Sequence, residues 1–259
     1  MYSIKNKTAL VTGAAHRLGK EFALFLAKQG CHIALHYGSS KKQALETQQE
    51  ILNLNVKCIL FQTNLQHPQN FHTWLNDIES QIGPINILIN SASVYDEGKI
   101  TNTSLETLQR NFQINLFTPI LLSQSFSKLK EPQQIINITD NKTQFIQQDY
   151  AAYLLSKKSL VDFTLMAAVE FSPKIRVNCI SPGVTLPIAT RSDDYLQWRY
   201  DGIPLRKQGS PEHILKALDY LLTNDFVTGQ NIIVDGGEGQ TLRGRNSVWY
   251  QERNSRQQT

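Results

Sequence analysis

The sequence predicts an α/β protein built as one domain around a doubly wound, mostly parallel sheet with helices on both faces. Three observations carry that expectation. Short apolar, β-branched runs alternate with helically spaced segments along almost the whole chain. The first run, Thr8-Ala9-Leu10-Val11-Thr12, passes directly into a glycine turn and then a helical pattern. Polar or glycine clusters at Gly13, Asn90, Asp140 and Pro182 fall just past strand ends, on the rim where open α/β sheets bind ligands.

Taken in order, the elements are as follows. After Thr8–Thr12, a turn from Gly13 to Gly19 leads into a helix from Lys20 to Gln29, with apolar residues at Phe22, Ala23, Phe25, Leu26 and Ala27. Cys31 to His36 is the second strand, Lys41 to Leu54 a helix and Val56 to Phe61 a strand. Pro68 to Ile82 reads as a helix with proline in its first turn. Ile85 to Ile89 is a short buried strand, followed by a long helix from Leu105 to Leu129. Gln133 to Thr139 is a strand, Tyr150 to Phe171 a helix and Ile175 to Ile180 a strand closed by Ser181-Pro182-Gly183. Ser210-Pro211 opens a helix to about Leu222, and Asn231 to Val234 is the last strand. The stretch from Val184 to Gln208 lacks clear regular structure and reads as a lid or substrate wall. One domain over residues 1–242 and a C-terminal tail over 243–259 are expected, the tail as a subunit contact or a frayed end.

Composition excludes several classes. A formal net charge of +4 with dispersed basic residues does not make a nucleic-acid surface. There is no apolar run long enough to span a bilayer and no charged-then-apolar leader, so a cytoplasmic protein is expected. Cys31, Cys58 and Cys179 sit singly in strand-like runs, without metal-ligand spacing, and read as core residues; no metal is expected.

The chemistry begins at the glycine loop. Strand, glycine turn and helix form the context a phosphate-binding loop requires, with free amides and the positive end of the helix facing a pyrophosphate. Gly13 allows the tight turn and Gly19 close packing of the helix; Leu18 belongs to the same turn. Arg17 occupies the place of the usual middle glycine. Two readings fit it: a cation beside cofactor phosphates or an anionic or carbonyl-bearing substrate, and an uninvolved surface residue. His16 faces either cofactor or solvent. The second strand ends at His36 and Tyr37 without the acidic residue that holds the ribose hydroxyls of NAD; Ser39, Ser40, Lys41 and Lys42 follow and suit the extra phosphate of NADP, while Ser39 or Ser40 could equally cap the next helix.

The second cluster is Tyr153 with Lys157 on one helix face, and Asp140 at a strand end thirteen residues before the tyrosine. An ammonium near a phenol lowers its pKa towards the working range, and a carboxylate can orient it or relay a proton. Capping of the following loop is the other reading of Asp140.

Assembled, these residues resemble the short-chain dehydrogenase/reductase family, whose Rossmann-like fold fits the pattern above. The marks are Thr12-Gly13-x-x-x-Arg17-x-Gly19, Asn90-Ser91-Ala92, Asn115, Tyr153-x-x-x-Lys157, Ser181-Pro182-Gly183 and Val234-Asp235-Gly236-Gly237, from Thr8 to about Leu242. The arginine in the loop, His36-Tyr37 and Asp140 in place of the family's serine resemble pteridine reductases and bacterial dihydromonapterin reductases. That resemblance implies NADPH bound at Gly13 to Gly19, His36, Tyr37, Ser39, Ser40, Asn64, Leu65, Asn90 to Ala92, and Pro182 to Val184. It implies catalysis by Asp140, Tyr153, Lys157 and Asn115. It further implies a pterin or folate substrate held by Arg17, Ser93, Tyr95, Asp140 and Tyr153, and a homotetramer. Asn64 replaces the family's adenine-binding aspartate, Ser91 its second asparagine, and Ser39 an arginine common in pteridine reductases. Because an ionised carboxylate cannot donate a hydrogen bond to a ketone oxygen, Asp140 favours a nitrogen heterocycle over a ketone. A carbonyl or 3-oxoacyl reductase is the alternative, and a non-catalytic nucleotide-binding regulator a more distant one.

Overall fold

Strand residues alternate between two apolar layers, and this period of two fixes the whole architecture. In the computed structural model, which describes residues 3–67, 70–186, 191–241 and 244–257, the strands are β1 (Thr8–Val11), β2 (His32–Tyr37), β3 (Cys58–Gln62), β4 (Ile85–Asn90), β5 (Gln134–Ile138), β6 (Arg176–Pro182) and β7 (Asn231–Val234). They form one sheet in the order β3-β2-β1-β4-β5-β6-β7, with every adjacent pair parallel. The helices are α1 (Arg17–Lys28), α2 (Lys41–Leu52), α3 (Phe71–Ile82), α4 (Leu105–Phe112), α5 (Thr118–Phe126), α6 (Ala151–Glu170), α7 (Asp193–Asp201), α8 (Pro211–Thr223) and α9 (Ser247–Gln257).

Val11, Ile33, Leu35, Ile87 and Ile89 face one side of the sheet, against Phe22 and Leu26 of α1 and Leu218 of α8. Leu10, Ala34, Leu88 and Val177 face the other, against Leu75 of α3, Leu122 of α5 and Ala167 of α6. Both faces are therefore covered, as an all-parallel sheet requires. The strand order reverses between β1 and β4. This is the switch point at which loops diverge and leave a crevice.

Three expectations are corrected. The single helix expected over Leu105–Leu129 is interrupted by a π-helical turn, Gln113–Phe117, between α4 and α5. There the Thr118 amide bonds the Gln113 carbonyl five residues back. Pro119 follows at once and has no amide to offer the Asn115 carbonyl, so the regular ladder cannot continue through this point. The irregular stretch Val184–Gln208 contains α7, whose N-terminus is set by the Ser192 side chain accepting from the Tyr195 amide, with Asp193 and Asp194 in the first turn. Its polarity hid it: little apolar periodicity marks this helix, and its buried residue is Arg199. Finally, the tail expected over 243–259 carries α9. The helix start expected at Pro68, residues 187–190 of the substrate wall, and the domain end at Leu242 lie outside the described residues; α3 is seen from Phe71, capped by Asn70.

Candidate active site

The glycine loop is held by backbone geometry that only its own residues permit. Gly13 has φ +66°, and a Cβ on it would lie 2.9 Å from the Ala92 Cα. A Cβ on Gly19 would lie 2.1 Å from the Gly13 carbonyl oxygen. The Thr12 hydroxyl accepts from the amides of Ser91 and Ala92, at 2.9 and 3.0 Å, tying the ends of β1 and β4 together. Beneath the loop the Gly13 amide donates to His36 Nδ1 at 3.1 Å, and His36 Nε2 donates to the Thr63 carbonyl at 3.0 Å. An accepting Nδ1 places the proton on Nε2, and burial pushes the imidazole pKa down to about 4.

The side chain of His36, a residue expected at the cofactor site, is buried and braces the loop from below. The side chain of Asn90 is likewise turned inward. Its amide is buried and donates to Asn137 Oδ1 at 2.8 Å, and Asn137 donates to the Thr164 hydroxyl, so the side chain belongs to an internal polar chain. Tyr37 is buried, with its hydroxyl donating to Gln62 Oε1 at 3.4 Å. Leu65 is buried, and its carbonyl accepts from the Thr118 hydroxyl. Ser39 is exposed and Ser40 half-buried at the N-cap of α2, which no side chain caps; the capping alternative is not what these hydroxyls do. Asn64 is exposed and its Oδ1 accepts from the Gln66 amide. His16 and Arg17 are exposed and Leu18 half-buried. Arg17, itself at φ +53°, reaches across and donates to the Leu186 carbonyl at 2.6 Å, linking the glycine loop to the substrate wall. Pro182 ends β6, Gly183 bonds the Val234 carbonyl, and the Val184 carbonyl accepts from Gly209.

The catalytic candidates do meet. The Tyr153 hydroxyl donates to Asp140 Oδ2 at 2.6 Å, while Asp140 Oδ1 accepts from the Lys142 amide at 2.8 Å. Asp140 therefore orients the phenol and also caps the short 3-10 turn Asn141–Gln144. Burial, and then the charge and hydrogen bond of Asp140, hold the Tyr153 pKa well above that of a free phenol. Lys157, one helical turn along, is buried and donates to the Ile138 carbonyl at 2.8 Å; burial pushes its pKa down to about 8, against the opposing pull of Asp140. The phenol is not brought down towards the working range as expected: burial and the carboxylate outweigh the ammonium of Lys157.

Asn115 sits in the π-helical turn. Its Nδ2 donates to the Val94 carbonyl and the Ser156 hydroxyl, and its Oδ1 accepts from the Val94 amide and the Ser93 hydroxyl. It fastens the loop after β4 to α6. Tyr95, 45% exposed, packs edge-on against Tyr153 with ring centroids 4.6 Å apart and stacks on Tyr150 at 4.5 Å.

Several residues here escaped sequence reasoning. Tyr150 closes the back of Tyr95 and bonds Ser247 of α9 at 2.8 Å. Buried Glu238 pairs with buried Arg199 at 2.5 Å and also accepts from Asn141 and the Arg245 amide. These join the turn after Asp140 to α7 and to the segment before α9. No local pattern marks them, because the partners come from distant parts of the chain.

The glycine loop at a strand switch point and a paired tyrosine and carboxylate beside a buried lysine define a dinucleotide-dependent oxidoreductase site. A family model described as enoyl-(acyl carrier protein) reductase matches residues 13–238. The chain belongs to the short-chain dehydrogenase/reductase family, which uses NAD(P)H. It is 30% identical to an uncharacterized oxidoreductase of Methylorubrum extorquens over 92% of this chain and 99% of that one. It is 28% identical to a 3-oxoacyl-[acyl-carrier-protein] reductase of Staphylococcus epidermidis, covering 90% and 98%. The FolM alternative dihydrofolate reductase 1 of Brucella canis, solved in complex with NADP, superposes with a TM-score of 0.86 at 28% identity, covering 92% of this chain and 95% of that one. Among the described residues no helix is long and apolar enough to cross a membrane.

Proposed function

We propose that this chain is an NADPH-dependent reductase of pterins, converting a dihydropterin such as dihydrobiopterin, dihydromonapterin or dihydrofolate to its tetrahydro form. The 2.6 Å bond from Tyr153 to Asp140 carries the reading. A carboxylate in that place accepts the N–H groups of a heterocycle and repels a developing alkoxide. The likeness to the Brucella protein supports it.

The loop fits the cofactor. α1 follows its N-cap residue His16 with no side-chain cap and no acidic residue in its first turn. Such a helix end favours an anion. The amides from Arg17 to Gly19 would hold the pyrophosphate, Ser39, Ser40 and Lys41 the additional phosphate, Asn64 the base, and Pro182 to Val184 the nicotinamide. When bound, NADPH supplies the hydride for the C=N carbon. Tyr153 stays protonated at neutral pH and holds, at its hydroxyl, the proton that the ring nitrogen gains. Asp140 fixes the direction of that hydroxyl and returns a proton to it from solvent. Lys157, cationic below about pH 8, offsets the charge left when the proton departs and holds the ribose hydroxyls. Asn115 and Tyr95 shape the wall, with Tyr95 offering its outer ring face to the pterin.

Reduction of a 3-oxoacyl thioester is the second reading, favoured by the Staphylococcus relative. An idle regulatory role does not account for the bonded Tyr153 and Asp140. A homotetramer would cover the exposed apolar residues Leu121 of α5 and Leu165, Met166 and Val169 of α6. The three buried free cysteines fit a reducing, cytoplasmic setting. The test is NADPH oxidation with the three dihydropterins, acetoacetyl thioester and a simple ketone. Turnover of a dihydropterin is expected; turnover confined to the thioester or ketone refutes the proposal.

A further inference from the structure

We propose that Lys142 is a specificity-determining residue that selects substrates carrying a carboxylate or similar anionic group next to the reducible ring. The inference takes its heterocycle from the pterin-reductase reading and its charge preference from Lys142 itself.

Lys142 lies two residues after Asp140, and its amide is locked to Asp140 Oδ1 at 2.8 Å. The side chain is therefore launched from the catalytic turn. Its ammonium donates to the Tyr95 hydroxyl and stands 4.5 Å from the Tyr95 ring centroid and 4.7 Å from that of Tyr150. Tyr95 in turn touches Tyr153 edge-on. The cation is thus part of the wall that borders the phenol.

Among the described residues Lys142 forms no ion pair. The ion pairs among the described residues are Lys20–Glu50, Lys99–Asp149, Arg110–Asp96 and Arg199–Glu238. The charged groups that act on it are Asp140 and Glu238 on one side and Arg199 and Arg191 on the other. Arg199 and Glu238 neutralise each other in their buried pair. Lys142 and Arg191 then stand against Asp140 alone, one positive charge in excess. Burial lowers the Lys142 pKa and Asp140 raises it, the balance expected of a half-buried cation short of an anion. An ammonium has three donors, and the Tyr95 hydroxyl takes one. A substrate carboxylate would supply a charge-assisted acceptor that a neutral polyol side chain lacks.

The experiment uses the full-length enzyme with NADPH and compares kcat/KM for 6-carboxy-7,8-dihydropterin, whose carboxylate is attached to the reducible ring, with dihydrobiopterin, which is neutral. The wild type is expected to favour the acid. Lys142→Met should lower the acid-to-neutral ratio about tenfold, mainly through KM, and Lys142→Arg should restore most of it. An unchanged ratio in Lys142→Met overturns the proposal. A second measurement needs no turnover: calorimetric binding of benzoate and benzamide to the NADP⁺ complex. Benzoate should bind more tightly in the wild type and lose that advantage in Lys142→Met; equal binding in the wild type overturns the proposal. If neither dihydropterin is reduced while the benzoate preference and its loss are seen, the pterin reading falls and the role of Lys142 stands.

Discussion

The amide of Gly13 and the imidazole of His36 are joined by a 3.1 Å hydrogen bond that makes a neutral, buried histidine part of the glycine loop. The bond needs a lone pair on Nδ1, so protonation would remove the acceptor as well as bury a charge. The native pKa is about 4 against an ordinary 6.5, so the unfolded chain binds the proton more readily. The stability this provides is complete above pH 6.5 and is lost as pH falls towards 4. His36→Leu should cost about 1–3 kcal/mol by leaving the Gly13 amide unpaired, and should flatten that part of the profile. Urea titrations between those pH values check both outcomes, and cofactor Kd should rise in the same variant.

Tyr153→Phe retains the buried ring and removes the 2.6 Å bond to Asp140. Turnover should fall by about 10²–10⁴, the usual value of a positioned proton donor, with NADPH affinity kept. Steady-state kinetics beside a cofactor titration separate the two.

Asp140→Asn keeps an oxygen for the Lys142 amide and deletes the charge that raises the Tyr153 pKa. The phenol should therefore titrate lower, seen as a downward shift of the alkaline limb of the pH–rate profile. Asp140→Ser should lose pterin reduction and gain on ketones, because a hydroxyl can donate where a carboxylate cannot. Pterin rates left intact by this change would show that the carboxylate takes no part in proton delivery.

Lys157 gives opposite signs for binding and stability. With a native pKa of about 8, the ammonium is lost above that pH, so cofactor affinity should weaken on the alkaline side. Between about 8 and 10.5 the folded protein holds fewer protons than the unfolded chain, so the Lys157 contribution to stability rises over the same interval. Parallel Kd and denaturation series in the wild type and Lys157→Met test the pairing; the variant should show neither slope.

Glu238→Gln leaves buried Arg199 without its charge partner. A loss of about 3–5 kcal/mol is expected, the cost of stranding one member of a buried pair. Because Glu238 also accepts from Asn141 and the Arg245 amide, limited proteolysis should cut faster near α7 and before α9.

The sheet, its flanking helices and the tyrosine, carboxylate and lysine were legible in the linear chain because each rests on local order. Strand period, the glycine turn and one helical turn of spacing between Tyr153 and Lys157 need no distant partner to be read. That the side chains of His36 and Asn90 turn inward was not legible, since which side of a strand end points inward depends on neighbouring strands. The break at Gln113–Phe117 had a local sign in Pro119, outweighed by the long apolar run around it.

What the sequence by itself determined is therefore the fold and the chemical identity of the candidate groups. Tertiary structure alone decided their electrostatic state and their surroundings: the raised Tyr153 pKa, the brace beneath Gly13, the cation at Lys142 and the Glu238 network. The reason is physical. Burial and Coulomb interactions depend on distance through space, and the chain brings Asp140 to Tyr153, Glu238 to Arg199, and Ser247 to Tyr150 only by folding.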